Sequence, residues 1–220
     1  MSAASTGVKP SILGKASVDK KTDLQTSDSR WVGLKSLDWT DQDGVKRKWE
    51  VATRKTTSAS GVDAVAIVAI LKKPSQPDSI PIILQYRPPV EGICVELPAG
   101  LIDNSESPEQ AARRELYEEC GYGGAQFENR IQLVQVGGVT PSDPGMTNAN
   151  MHLVTLEVQL KDDEPEPQAQ LDDGEHIEVR ITPLNELYAH LEAYEKLGYI
   201  VDARLHHYAA GIELAKKLRL

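Results

Sequence analysis

GLIDNSESPEQAARRELYEECGY, residues 100–122, is the stretch from which the fold and the chemistry are read. Ser107 suits the N-cap of a helix, Pro108 its first turn and Gln110 a capping box, while Gly121 supplies the C-terminal stop. The helix follows an apolar run (Ile93, Val95, Leu97) and carries Glu115, Glu118 and Glu119. At the α-helical repeat, Glu119 lies about 40° to one side of Glu115 and Glu118 about 60° to the other. Like charges at these spacings destabilise a helix. Either water solvates an acidic face, or a cation gathers it. Hard divalent ions, Mg²⁺ above all, take such carboxylates together with substrate phosphates. Arg114, four residues before Glu118, can neutralise part of the cluster.

The full string weighs against a merely solvated face. Gly100, then Glu106 after five residues, then Arg114-Glu115-Leu116 and Glu118-Glu119 with Gly121 match the Nudix box at every fixed position. Only Tyr122 departs, where an aliphatic residue is usual. The chain therefore resembles a Nudix hydrolase. The resemblance implies an α/β/α sandwich around a mixed sheet, with a strand, loop and helix forming the metal site. It makes Glu115 and Glu119 the principal metal ligands and catalytic residues, with Glu118 and the Ala99 carbonyl as further ligands. Gly100, Glu106, Arg114 and Gly121 become structural members of the box. The expected cofactor is Mg²⁺, with Mn²⁺ as the alternative, and more than one ion.

Composition sets the outer bounds. A length of 220 residues suits one domain with a small appended element. A formal net charge of −9 argues against nucleic-acid and anionic-membrane surfaces, so neither is an expected partner. No apolar run reaches the length of a spanning helix. Cys94 and Cys120 make no disulfide framework and read as reduced core residues of a cytoplasmic protein. The first 18 residues have lysine and no acid but lack arginine, a weak match to a transit peptide.

Residues 1–27 show no period and are expected to be a disordered arm. Residues 28–58 read as a β-hairpin turning at Asp41-Gln42-Asp43-Gly44, and 59–220 as the catalytic domain. All three tryptophans, Trp31, Trp39 and Trp49, fall in the hairpin. Tryptophans usually anchor cores, yet two short strands cannot cover three of them. A partner subunit or a flat ligand would. Asp63–Leu71 and Ile80–Gln85 read as central strands, Ile131–Val136 and His152–Leu160 as two more, and Gly137–Asn150 as a pocket-rim loop. Lys161–Asp173 is acidic and apolar-poor and is expected to be mobile. Strand character resumes near Ile177, and two amphipathic helices follow at about Pro183–Leu197 and Asp202–Leu218. His206 and His207 have no further ligand nearby, so a metal role for them is disfavoured.

Beyond the box, RKWEVATRK, QYRPPV, ELPAGLID, SDPGMTN, DDGEHIEV and VDARLHHYA are similar to the ADP-ribose pyrophosphatase branch, over about residues 28–215. That resemblance implies hydrolysis of ADP-ribose to AMP and ribose 5-phosphate by a homodimer with composite sites. Trp31 of one chain and Trp49 of the other would sandwich the adenine. Glu50 and Arg54 share a strand face and would meet the adenine edge and the phosphates. Arg87 would clamp a phosphate, although a strand-end arginine is more often a surface residue. Leu101 would line the substrate site, and Asp143 would reach the terminal ribose. Glu175 would be the general base, with Asp172, Asp173 and Glu178 close enough to compete. The alternatives are a broader ADP-sugar or nucleotide-sugar pyrophosphatase and a non-catalytic Nudix-fold nucleotide sensor. RNA decapping is disfavoured by the charge.

Overall fold

Strand β3, Ala64–Lys72, sends alternate side chains to opposite faces, and this divides the core into two layers. Val65, Ile67, Ala69 and Leu71 enter one apolar cluster and Val68 enters the other. In β4, Ser79–Arg87, Ile80, Ile82 and Leu84 join the second cluster and Ile83 the first. Helix α1, Pro108–Cys120, seals the first layer with Ala111, Ala112, Leu116 and Cys120. Helices α2, Leu187–Lys196, and α3, Ala203–Leu218, seal the second with Leu187, Leu191, Tyr194, Leu205 and Ala209. The result is the expected α/β/α sandwich. The computed structural model describes residues 7–14, 16, 18–20, 25, 27–58 and 60–219.

The remaining strands are β1 (Val32–Thr40), β2 (Lys46–Arg54), β5 (Gly92–Glu96), β6 (Ala99–Leu101), β7 (Ile131–Pro141), β8 (Asn150–Gln159), β9 (Ile177–Pro183) and β10 (Ile200–Val201). The central sheet runs β10-β5-β4-β3-β8-β7, with β6 also on β3 and β9 also on β4. It is mixed: β3–β8 and β10–β5 are parallel, and the other pairs are antiparallel. Pairing of Ala99 with Ala66 sets β6 beside β3, and Gly100 in β6 lies against Glu115 of α1.

The hairpin β1–β2 is a separate two-stranded sheet. Asp41 holds its turn by accepting the N–H groups of Asp43 and Val45, and Gly44 takes φ 78°. The hairpin reaches the body through Ala52, whose N–H donates to the Met146 carbonyl at 2.9 Å, and through Trp49, whose indole N–H donates to Gly145 at 3.1 Å.

The structure adds detail to three segments. The start of the supposed 137–150 loop is strand, because β7 continues to Pro141 through two register shifts, and residues 142–149 remain a loop. Lys161–Asp173 lacks regular structure but is tied down. Gln170 N–H donates to the Glu118 carbonyl at 2.7 Å, Glu164 grips Arg130, and Leu171 packs on the first core layer. The short strands β5, β6 and β10 were not separately delineated, being too brief to show a period. Of the arm, residues 1–6, 15, 17, 21–24 and 26 lie outside the described residues. Residues 7–14 form no helix or strand and are largely exposed, yet some of them touch the body. Val8 and Leu13 meet the second core layer, and Ser11 Oγ and the Ile12 N–H both donate to Glu178.

Candidate active site

The local sequence builds α1 as anticipated. Ser107 accepts the Gln110 N–H, the Gln110 side chain returns to the Ser107 N–H at 2.8 Å, and Gly121 closes the helix at φ 77°. Gly100 is required by close approach: a Cβ there would stand 1.9 Å from the Glu115 carboxyl. Arg114 is the hub of the acidic face. It meets Glu106 at 2.9 Å, Glu115 at 2.7 Å, Glu118 at 3.0 Å and the Leu101 carbonyl at 2.9 Å. Glu106 therefore stays well below the usual carboxylate range, held there by the Arg114 hydrogen bonds.

Glu119 is differently placed. It is 5% exposed and accepts the Ala99 N–H at 2.9 Å. Burial, reinforced by the charges of Glu115 and Glu175, pushes its pKa up to about 8, against the lowering effect of the Ala99 N–H. Burial likewise raises Glu115. Among the described residues no three acidic, histidine or cysteine side chains stand at ligating geometry, since Arg114 lies between Glu115 and Glu118. The donor chemistry nevertheless fits a hard divalent ion. Two crowded, desolvated carboxyls favour protonation, and a cation with oxygen ligands would restore their ionised form.

Two concavities meet here. The smaller, about 280 Å³, is walled by Gln85, Arg114, Glu115, Glu118, Glu119, Asp172 and Glu175. The larger, about 600 Å³, carries Arg54, Arg87 and Arg204 with Glu96, Met151 and Asp202. Arg87, Ala99, Gly100 and Leu101 belong to both. Arg87 forks onto Glu96 through Nε at 2.9 Å and Nη2 at 2.6 Å. An acidic compartment and a cationic one thus share a wall.

The sequence-based candidates divide accordingly. Glu115, Glu118, Glu119, Ala99, Gly100, Leu101, Arg87, Arg114 and Glu175 converge, and Arg54 lines the larger cavity. Among the rival bases, Asp172 lines the acidic compartment with Glu175. Glu178 does not. It is buried on the opposite face of β9, bonded to Ser11, Ile12 and Arg180. Asp173 lines neither compartment. Trp31, Trp49, Glu50 and Asp143 also line neither. Trp49 lines a separate concavity with Pro141, Pro144 and Thr147, and the Asp143 backbone carbonyl accepts the N–H groups of Met146 and Thr147. Sequence reasoning missed Glu96, Asp202 and Arg204 as cavity residues, although Asp202 and Arg204 stand two residues apart at the start of α3.

Comparison with known proteins places the chain in a family. The NUDIX domain profile matches residues 62–203. The chain is 40% identical to an ADP-ribose pyrophosphatase of Saccharomyces cerevisiae over 198 residues, covering 89% of this chain and 83% of that one. It is 32% identical to an ADP-sugar pyrophosphatase of Mus musculus over 191 residues, covering 86% and 84%. A crystal structure of an ADP compounds hydrolase superposes with a TM-score of 0.54 at 23% identity, covering 90% of this chain and 92% of that one, which shows the fold. This chain belongs to the Nudix hydrolase family.

Proposed function

We propose that the protein hydrolyses the diphosphate of ADP-ribose to AMP and ribose 5-phosphate in the presence of Mg²⁺. The observation that carries this reading is the shared wall at Arg87. A diphosphate laid across it would have one phosphoryl group in the acidic compartment and the other among arginines. The yeast relative's name supports ADP-ribose, and the mouse relative's name supports a second reading as a broader ADP-sugar pyrophosphatase.

Glu115, Glu118, Glu119 and the Ala99 carbonyl would hold the ion or ions. When bound, divalent metal polarises phosphoryl oxygen and acidifies water. Glu175, at the rim, accepts the proton of the attacking water. A new oxygen–phosphorus bond forms as the bridging one breaks, so one water is consumed and two phosphate monoesters leave. Arg87, oriented by Glu96, has Nη1 left over for a phosphate oxygen, and Arg54 adds a second guanidinium. Phosphoryl transfer is served by this placement and charge neutralisation.

The working unit we propose is a homodimer. Cross-strand register puts Leu37 opposite Trp49 and Val32 opposite Arg54, so Trp49 and Arg54 face opposite sides of one hairpin. Within one chain Arg54 and Trp49 line different concavities, which supports a base and its phosphates being held between two chains. Trp31 and Trp49, 58% and 50% exposed, suit a base shared between two chains. The buried free thiols of Cys94 and Cys120 suit the cytoplasmic location proposed with it.

The test is a substrate panel of ADP-ribose, ADP-glucose, UDP-glucose and NADH, with Mg²⁺, Mn²⁺ or chelator, reading products by chromatography. AMP and ribose 5-phosphate from ADP-ribose, abolished by chelator, are expected. Comparable turnover of all four would favour the broader reading, and no turnover of any would overturn both.

A further inference from the structure

Arg204, in the first turn of α3, repeats the arrangement of Arg87. Its Nε and Nη2 fork onto Asp202 at 2.8 Å and 2.7 Å, as those of Arg87 fork onto Glu96. In each case Nη1 is left over. That of Arg204 meets only the thioether of Met151, a weak acceptor, at 3.3 Å. Both guanidiniums line the larger cavity with Arg54, for which no carboxylate partner is present among the described residues. The two carboxylates neutralise two of the three arginines and orient them, while Arg54 adds uncompensated positive charge. The charges of Glu96 and Arg87 also act on Arg204, so the forks are near neighbours.

We infer that Arg204, backed by Asp202, is a diphosphate-positioning residue that grips the phosphoryl group lying outside the acidic compartment. The inference rests on the diphosphate reading above. Arg87 sits on the common wall and serves both phosphoryls, whereas Arg204 lines only the larger cavity. Its ligand is therefore the second phosphoryl, the feature that separates a nucleoside diphosphate derivative from a monophosphate. Merely pinning the start of α3 would not need the guanidinium, since Asp202 already caps the helix by accepting the Arg204 N–H.

The experiment uses the full chain and measures binding of adenosine and of its non-hydrolysable α,β-methylene diphosphonate, beside steady-state kinetics with ADP-ribose. Arg204→Ala is expected to weaken the diphosphonate by about ten- to a hundredfold, as for a lost charged hydrogen bond, and to leave adenosine unchanged. KM should rise with kcat altered far less, the mark of lost ground-state binding. Arg204→Lys, a point charge without the fork, should recover part of the loss. Asp202→Asn keeps a good N-cap, so it loosens the guanidinium without unravelling α3 and should weaken only the diphosphonate. Should Arg204→Ala fail to fold, the lysine and asparagine variants carry the same comparison. Equal diphosphonate affinity in variants and wild type, or equal loss for both probes, would overturn the inference. Failure of the wild type itself to bind the diphosphonate would overturn the functional reading beneath it.

Discussion

Glu119 is buried beside Glu115 and Glu175, with one backbone N–H to satisfy it. A group in that position destabilises the fold when ionised and earns its place only through what it binds. Glu119→Gln keeps an oxygen for the Ala99 N–H and has no ionised form to desolvate. It should therefore leave the melting temperature unchanged or raised, while cutting turnover by more than the about 100-fold typical of outer-shell metal partners. Calorimetry and an ADP-ribose assay check the two halves; an active variant would remove Glu119 from the mechanism. Glu175 is the residue to test against Asp172, since both line the acidic compartment and Glu178 does not. Glu175→Gln should lower kcat by about 10²–10⁴-fold with KM little changed, as for a lost general base. Finding that split in Asp172→Asn instead would move the proton acceptor three residues along the same turn.

At the scale of elements, the segment between β8 and β9 positions the rim. Its Glu164 forms two bonds with Arg130, at 2.8 Å and 2.5 Å, and Gln170 then ties the chain to the last turn of α1. The Arg130 hydrogen bonds hold the Glu164 pKa down at about 2, from 4.5. A carboxyl depressed in the folded state stabilises it at pH above the unfolded value and loses that contribution as pH falls through the folded one. Glu164→Gln should accordingly be less stable than wild type at pH 7, with the gap closing from about pH 4.5 towards pH 2. Urea unfolding at several pH values measures this. A gap independent of pH would mean the pair contributes through packing alone.

At the scale of the whole molecule, the hairpin and the edge strand β7 leave apolar side chains in water, among them Trp31, Leu34, Trp49, Val134 and Val139. Exposed apolar side chains on this scale suit an interaction surface. A second copy is the occupant that would also complete the cavity, because Trp49 and Arg54 of one chain face apart. Mixing two inactive variants, Trp31→Ala and Glu119→Gln, should then restore activity after subunit exchange, since one of the two sites in a heterodimer is intact. Light scattering showing a fully active monomer would exclude the composite site.

What was legible in the sequence was what short-range physics dictates. The caps of α1, its carboxylate arc, the Asp41–Gly44 turn and the alternation in β3 and β4 follow from residues within one or two turns of each other. The site's membership in the family box was legible for the same reason, being carried by one loop and one helix. Tertiary structure decided the rest, because it depends on pairings distant in the chain. Glu178 matched the neighbourhood of Glu175 in sequence, yet the two-residue period of β9 turned it to the far face, where Ser11 and Ile12 meet it. Lys161–Asp173 looked solvated by composition, but its backbone and Glu164 found partners on α1 and Arg130. Arg204 and Arg87 stand far apart in sequence, and only the parallel pairing of β10 with β5 brings their forks to one cavity.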